Sequence, residues 1–253
     1  MNWIKKNLYL AGIPISMALS TVSLVSVQAN SSNQFVGKGE APMLISQSFK
    51  PGNREGAPNS TAGGATRGGC TQKENRLISL IPEKQVGLTF NERPTFYWHI
   101  SESDVREAAF MLLDDNEDVV YETDLTLPQK PGIFAFTLPA EVPGLKVNKQ
   151  YHWFLEVNCS SQTDETVTVE GWVERTKPSL AVRMKLNKLE PKHRSKVYAD
   201  AGIWHEAIDN VAQQRCIDPN DSTTMFYWNQ LLTSVGLNQV VSESMNQVCK
   251  VES

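Results

Sequence analysis

The sequence predicts a mainly β protein with α-helices, in which an antiparallel β-sandwich is followed by a small C-terminal helical bundle. Three observations support this prediction. Seven short apolar runs lie between residues 76 and 176, with turn-forming residues every 8–15 positions or so. No helix-length period interrupts these runs. From about Ser179 onward, apolar residues recur at the three- and four-residue spacing of amphipathic helices.

The predicted strands occupy residues 77–81, 95–100, 108–113, 119–125, 133–138, 151–158 and 166–175. Pro94 precedes the second strand, where proline is tolerated. The acidic run 114–118 separates the third and fourth strands and indicates a hairpin turn. Seven strands at this spacing resemble an immunoglobulin-like or fibronectin type III sandwich. A closed barrel is the alternative, because alternation alone does not distinguish a barrel from two stacked sheets.

Five helices are predicted after the strands. Residues 179–189 and 192–201 form the first two, and Gly202 ends the second in a left-handed conformation. Asp221 or Ser222 caps the fourth helix, and Gly236 ends it. Apolar faces indicate the last three: Ile203, Ala207, Ile208 and Val211; Trp228, Leu231, Leu232 and Val235; Leu237, Val240, Val241, Met245 and Val248.

Part of this helical region resembles a tetratricopeptide repeat. Tyr198, Gly202, Ala207 and Pro219 have the relative spacing of that repeat's landmark residues. The match covers about one repeat, whereas about three are needed for a free-standing solenoid. We therefore expect one helical hairpin packed on the sandwich. An ordinary amphipathic hairpin with small residues at a close helix crossing is the alternative.

The N-terminus has the order of parts of a secretory signal peptide. Lys5 and Lys6 precede an apolar stretch over residues 8–27, and small residues stand at Val27 and Ala29. We expect cleavage at about Ala29; an uncleaved membrane anchor is the alternative. The predicted organisation is a signal peptide over 1–29, a flexible Gly/Pro/Ser-rich segment over 30–69, a β-sandwich over 70–176 and a helical region over 177–250.

Charge limits the classes of partner. The predicted leader carries two lysines and no acidic residue, so its removal lowers the formal net charge from −4 to −6. An acidic chain without a run of Lys or Arg is not typical of nucleic-acid binding, and it disfavours anionic membrane surfaces. No second long apolar run follows the leader. We therefore expect no membrane insertion of the mature chain, and a protein or glycan as its partner.

Export changes the interpretation of the four cysteines, because disulfides form in oxidising compartments. Four cysteines allow three pairings. Two stand in each half of the chain, which favours Cys70–Cys159 and Cys216–Cys249. None has the short spacing of a zinc site.

No motif indicates catalysis, a cofactor or a metal. No two histidines stand at metal-ligand spacing, and the nucleophilic-serine and phosphate-loop motifs are absent from the sequence. The acidic run 114–118 begins like a calcium loop, but Val119 and Leu125 occupy positions where such loops need Gly and Glu. We therefore predict an ordinary hairpin turn there.

Aromatic residues are predicted on the outer face of a sheet. In strand 151–158 the alternation leaves His152 and Phe154 outside, and in strand 166–175 it leaves Trp172 outside. Tyr97 and His99 are expected to join them. Such a surface is unusual unless it is covered. Either the helical region docks on it, or it binds a partner protein or a sugar.

Several segments of the mature chain are characteristic of one family: residues 54–58, 66–70, 87–96, 151–154, 169–175, 198–199 and 202–207, with the strings ERPTF and EGWVER among them. The chain resembles, through these segments, the cyanobacterial exported family catalogued as domain of unknown function 928. The resemblance implies the order of parts, export and a cyanobacterial periplasmic or extracellular setting. It implies no activity.

The leading functional hypothesis is a non-catalytic exported interaction module of the periplasm or cell envelope. Its basis is the absence of catalytic spacing beside two architectures that are often used for binding. A carbohydrate-binding module for envelope or extracellular polysaccharide is the second hypothesis, and a hydrolase with dispersed Asp, Glu and His residues is the third.

Overall fold

Two β-sheets form the first part of the fold. A computed structural model describes residues 48–51, 77–83, 85–101, 107–160, 163–245 and 248–249. The strands in these ranges are β1 (Leu77–Ser79), β2 (Gly87–Thr89), β3 (Thr95–Ile100), β4 (Glu107–Leu113), β5 (Val119–Thr126), β6 (Gly132–Thr137), β7 (Gln150–Ser160) and β8 (Thr163–Arg175). The predicted signal peptide, the segment 30–47 and Cys70 lie outside the described residues.

Strand order is β1-β3-β6 in the smaller sheet and β2-β8-β7-β4-β5 in the larger one. All pairs are antiparallel except β2 and β8, which are parallel. Each of the seven predicted strands is present. β2 was not predicted, because Gly87, Leu88 and Thr89 form neither an alternating pattern nor a continuous apolar run.

Large aromatic side chains from both sheets meet in one buried layer. Trp98 of β3 lies 5.6 Å, between ring centroids, from Trp153 of β7. Phe96 of β3 lies 5.4 Å from Phe110 of β4. All four side chains are at most 1 % exposed. Each such ring contributes about 1.5–3 kcal/mol through burial, so this layer is a main source of stability.

The acidic turn between β4 and β5 satisfies its own backbone. Asp114 Oδ1 accepts hydrogen bonds from the amides of Asn116 and Asp118 at 2.8 and 3.2 Å. Asp115 pairs with Lys149. The turn is therefore a hairpin connection, as predicted.

Four α-helices follow in the described part of the chain: α1 (Leu180–Lys188), α2 (Arg194–Asp200), α3 (Trp204–Ile217) and α4 (Ser222–Thr233). Asp221 caps α4 by accepting from the Thr224 amide at 2.9 Å, as predicted. Gly202, at φ +73°, follows α2. Cys216 and Cys249 form the predicted disulfide. Cys70 and the side chain of Cys159 lie outside the described part, so their pairing stays a prediction.

The predicted fifth helix is wrong. Between Leu237 and Met245 the chain forms only a 3₁₀ turn at Asn238–Val240. The Ser244 carbonyl accepts from the Ile133 amide at 2.7 Å, and the Val241 carbonyl accepts from Trp228 Nε1 at 3.0 Å. Because these carbonyls bind groups elsewhere in the fold, the helical ladder does not continue, although Leu237, Val240 and Met245 are buried.

The helical region packs against both sheets, through β3 of the smaller one and β2 of the larger one. Trp204, at the start of α3, is fully buried, and its indole N–H donates to the Leu80 carbonyl at 2.8 Å. The described residues fall in one contact unit, Met43–Ser253. None of their helices has the length and apolar character needed to cross a membrane.

Candidate functional site

The five residues predicted for one surface lie in two places. Tyr97 and His99 lie on β3 of the smaller sheet. His152 and Phe154 lie on β7 of the larger sheet, and Trp172 lies on β8. The structure therefore brings only the last three together.

Tyr97 and His99 are covered by the C-terminal region. The Tyr97 hydroxyl donates to Asp209 Oδ1 of α3 at 2.7 Å. Burial, with a smaller effect of the Asp209 carboxylate, raises the pKa of Tyr97 well above its ordinary value. His99 Nε2 lies 3.3 Å from Glu243, but burial outweighs this carboxylate and lowers the pKa of His99. This part of the predicted surface joins the sheet to the helical region.

His152, Phe154 and Trp172 form a cluster of rings. The His152 ring stacks on Trp172 with 4.3 Å between centroids and an interplanar angle of 14°. It lies 4.0 Å from the Phe154 ring. His152 Nε2 is 3.2 Å from Glu170 Oε2, yet burial is the larger effect and lowers the pKa of His152. All three rings are half-buried.

The ring cluster continues across the sheet into an apolar centre with an acidic rim. Pairing places Met111 of β4 beside Phe154 and Glu122 of β5 beside Met111. Residues paired in this way share one face of the sheet. We call this surface the outer sheet face; it is defined by Ala109, Met111, His152, Phe154 and Trp172 in the centre and by Glu107, Glu122, Asp124, Glu156 and Glu170 on the rim.

A second polar cluster was missed in the sequence. Glu206 Oε1 accepts from Thr89 Oγ1 at 2.9 Å and from the amides of Phe90 and Asn91 at 2.7 and 2.8 Å. Its Oε2 is buried and has no hydrogen-bond partner among the described residues. Burial raises the pKa of Glu206. This carboxylate holds the β2–β3 connection against the first turn of α3.

His205 lies beside this cluster in the core. Its Nδ1 is 3.0 Å from the Thr95 carbonyl, so Nδ1 is assigned the proton. Burial lowers the pKa of His205 to about 4. A pocket next to it, which Glu206 and Asp209 also line, has about 20 Å³ of free volume. That is room for about one water molecule.

Segments 87–96 and 202–207 both carry the family resemblance, and Glu206 joins one to the other by hydrogen bonds. Their distance in sequence hid this contact, because no periodicity links a β-turn to a helix more than a hundred residues away. Within the described ranges, no three His, Cys, Asp or Glu side chains are grouped to hold a metal ion.

The comparisons identify a family. The model of the family described as Domain of Unknown Function (DUF928) matches residues 62–245, which is most of the chain, so the chain belongs to that family. No curated protein matches it. Among solved structures, it is similar to a β-glucuronidase from Parabacteroides merdae crystallised with glycerol in its active site. The identity is 14 % and the TM-score 0.25; the match covers 40 % of this chain and 14 % of that one.

Proposed function

We propose that this protein is a non-catalytic interaction module, exported to the periplasm or cell envelope, that binds a partner protein through the outer sheet face. The observation that supports this most directly is the cluster of Trp172, His152 and Phe154 in a surface bounded by carboxylates. Aromatic side chains at the centre of a patch, surrounded by polar residues that exclude water, are typical of binding hot spots.

The acidic rim favours a basic partner. Glu107, Glu122, Asp124 and Glu156 are exposed, and Glu170 is half-buried beside His152. Charges at the edge of an interface act mainly on the association rate and on the choice of partner. We therefore expect binding to weaken as salt concentration rises.

Fold and export are consistent with this role. The strand orders β1-β3-β6 and β2-β8-β7-β4-β5, with aromatic contacts between the sheets, support an immunoglobulin-like sandwich. The paired helices α2 and α3 support one tetratricopeptide-like hairpin. The leader over residues 1–29 supports export, and the family resemblance supports a cyanobacterial source.

A carbohydrate-binding module is the alternative, because rings beside a carboxylate also suit a sugar. One detail favours a protein: His152 stacks on one face of the Trp172 indole, so that face is not open to a sugar ring. The hydrolase hypothesis has less support, because the pocket beside Glu206 has room for about one water molecule and is too small for a substrate.

Photo-crosslinking in the native host tests the proposal. We would replace Phe154 with a benzophenone amino acid, and as a control place the same group at Ile217, which is 75 % exposed at the end of α3. The expected result is a protein adduct from position 154 and none from position 217. A glycan adduct would support the carbohydrate alternative. Equal adducts from both positions, or none from 154, would overturn the proposal.

A further inference from the structure

Helix α1 has no buried residue. Leu180 and Met184, one turn apart on the same side, are 66 % and 52 % exposed. Val182 and Leu186 are half-buried on the opposite side. The outward side of this helix therefore presents apolar side chains to solvent.

A helix of this kind is not explained by local sequence alone. It has nine residues, a Ser179 cap and two lysines, Lys185 and Lys188, in its last turn. These features contribute about 1–2 kcal/mol in total. Helices shorter than about 12–15 residues are marginal in water without packing. Val182 and Leu186 supply part of that packing on the inward side, and a partner for the outward side of α1 would add to it.

The surroundings of α1 are basic, although the chain as a whole is acidic. Arg183 and Lys188 flank the two exposed apolar side chains, and Lys177 and Lys185 lie nearby. All four are exposed, and none forms an ion pair with a described residue. The partner surface should therefore be acidic with an apolar centre.

The outer sheet face has that chemistry. Phe154 and Met111 lie side by side at its centre, with Glu170 and Glu122 on the next strands outward. The length of α1 also agrees with the width of this face. Nine helical residues extend about 13 Å, and the four strands β8, β7, β4 and β5 span about 14 Å between the outer two. One helix laid across these strands reaches all four.

We propose that α1 of one copy of this chain binds the outer sheet face of a second copy. This inference rests on the proposed function of that face and names its partner. The two surfaces are different, so the contact is head-to-tail and does not close by itself into a dimer. One short helix buries a small area, so the association is weak and sensitive to salt.

Sedimentation velocity of the natively purified full chain tests this inference. At low salt, the mean mass should rise beyond that of a dimer as concentration increases, and at high salt it should return to the monomer. The helix variant Arg183→Glu/Lys188→Glu and the sheet variant Glu122→Lys/Asp124→Lys should each remain monomeric.

Mixing gives the sharpest result, because each variant keeps one intact surface. The sheet of the helix variant should bind the helix of the sheet variant, so the mixture should associate although neither variant associates alone. The control Lys130→Glu/Lys146→Glu is matched to the helix variant: it makes the same change in net charge at exposed sites elsewhere, and it should associate like the native chain.

Three results would overturn the inference: a native chain that is monomeric at every concentration in low salt, variants that associate normally, or a control that loses association. Failure of the proposed function is a separate result. If crosslinking at position 154 captures a different protein while the chain stays monomeric, the binding surface stands and the second copy is wrong as its partner.

Discussion

We expect the buried imidazole of His205 to make the stability of the fold fall as the pH is lowered. The imidazole is fully buried, with Phe96 5.3 Å away in an edge-on arrangement. A methyl group added at Gly87 would lie 2.7 Å from its Nε2, so the imidazole is closely packed on the side that faces β2. Its pKa is lowered from 6.5 to about 4, and the cause is burial.

The sign and size of the effect follow from proton linkage. The folded state binds fewer protons than the unfolded state between pH 6.5 and about 4, so stability is lost as pH falls through that window. The 2.5-unit difference between these pKa values corresponds to about 3 kcal/mol in full. About 2 kcal/mol of this should be lost by pH 5.

We would measure the free energy of unfolding in urea at pH 7.5, 6 and 5 for the native chain and for His205→Asn. The asparagine amide can donate to Thr95 but does not titrate. At pH 7.5, His205→Asn should be less stable than the native chain. Between pH 7.5 and 5, its free energy of unfolding should fall by about 2 kcal/mol less than that of the native chain. His99, His152 and Glu206 also titrate with shifted pKa values, but they are present in both proteins.

His193→Asn is the matched control. His193 is half-buried at the start of α2, so this variant removes a histidine from outside the packed core and shows what the loss of any imidazole does to the measurement. If His205→Asn loses as much stability on acidification as the native chain, the assignment of a buried neutral imidazole is wrong.

Substitutions at three further sites test a hydrogen-bond cluster, the disulfide and the core. In urea, Glu206→Ala should lower the free energy of unfolding by about 3 kcal/mol, because three hydrogen-bond donors lose their acceptor. Glu206→Gln keeps an acceptor oxygen and should lower it by under about 1 kcal/mol. Equal losses in the two variants would contradict the hydrogen-bond explanation. Cys216→Ala/Cys249→Ala removes the disulfide between two residues that are 33 positions apart and should lower the free energy of unfolding by about 3–4 kcal/mol. An unchanged free energy of unfolding would contradict this expectation. Gly171→Ala places a methyl group 2.5 Å from Trp153 and should lower the free energy of unfolding by about 1–3 kcal/mol. An unchanged free energy of unfolding would show that the neighbouring side chains move to accommodate the methyl group.

Sequence patterns predicted the elements whose structure depends on residues within a few positions of one another. Alternation located seven strands, and it placed His152, Phe154 and Trp172 on one side of their sheet. The Asp221 cap was predictable because it acts within one turn of α4. The same rules missed β2, whose three residues are ordered by parallel pairing with β8.

The candidate site was predictable only in part. The alternation of apolar and polar residues predicts the face of its own strand on which a residue lies. It does not predict which strands form one sheet. Tyr97 and His99 therefore joined the aromatic surface in the prediction, but they lie in the other sheet beneath α3 and Glu243.

By itself, the sequence determined the positions of seven strands and of α1 to α4, the acidic hairpin and the Cys216–Cys249 pair. These depend on side-chain period, caps and turn residues that act over a few positions, and on the number and placement of cysteines. Only the tertiary structure decided the distribution of strands between the sheets, the loss of the fifth helix and the role of Glu206. Each of these depends on hydrogen bonds between backbone groups and partners that are far away in the sequence. A pattern of neighbouring residues does not indicate such partners.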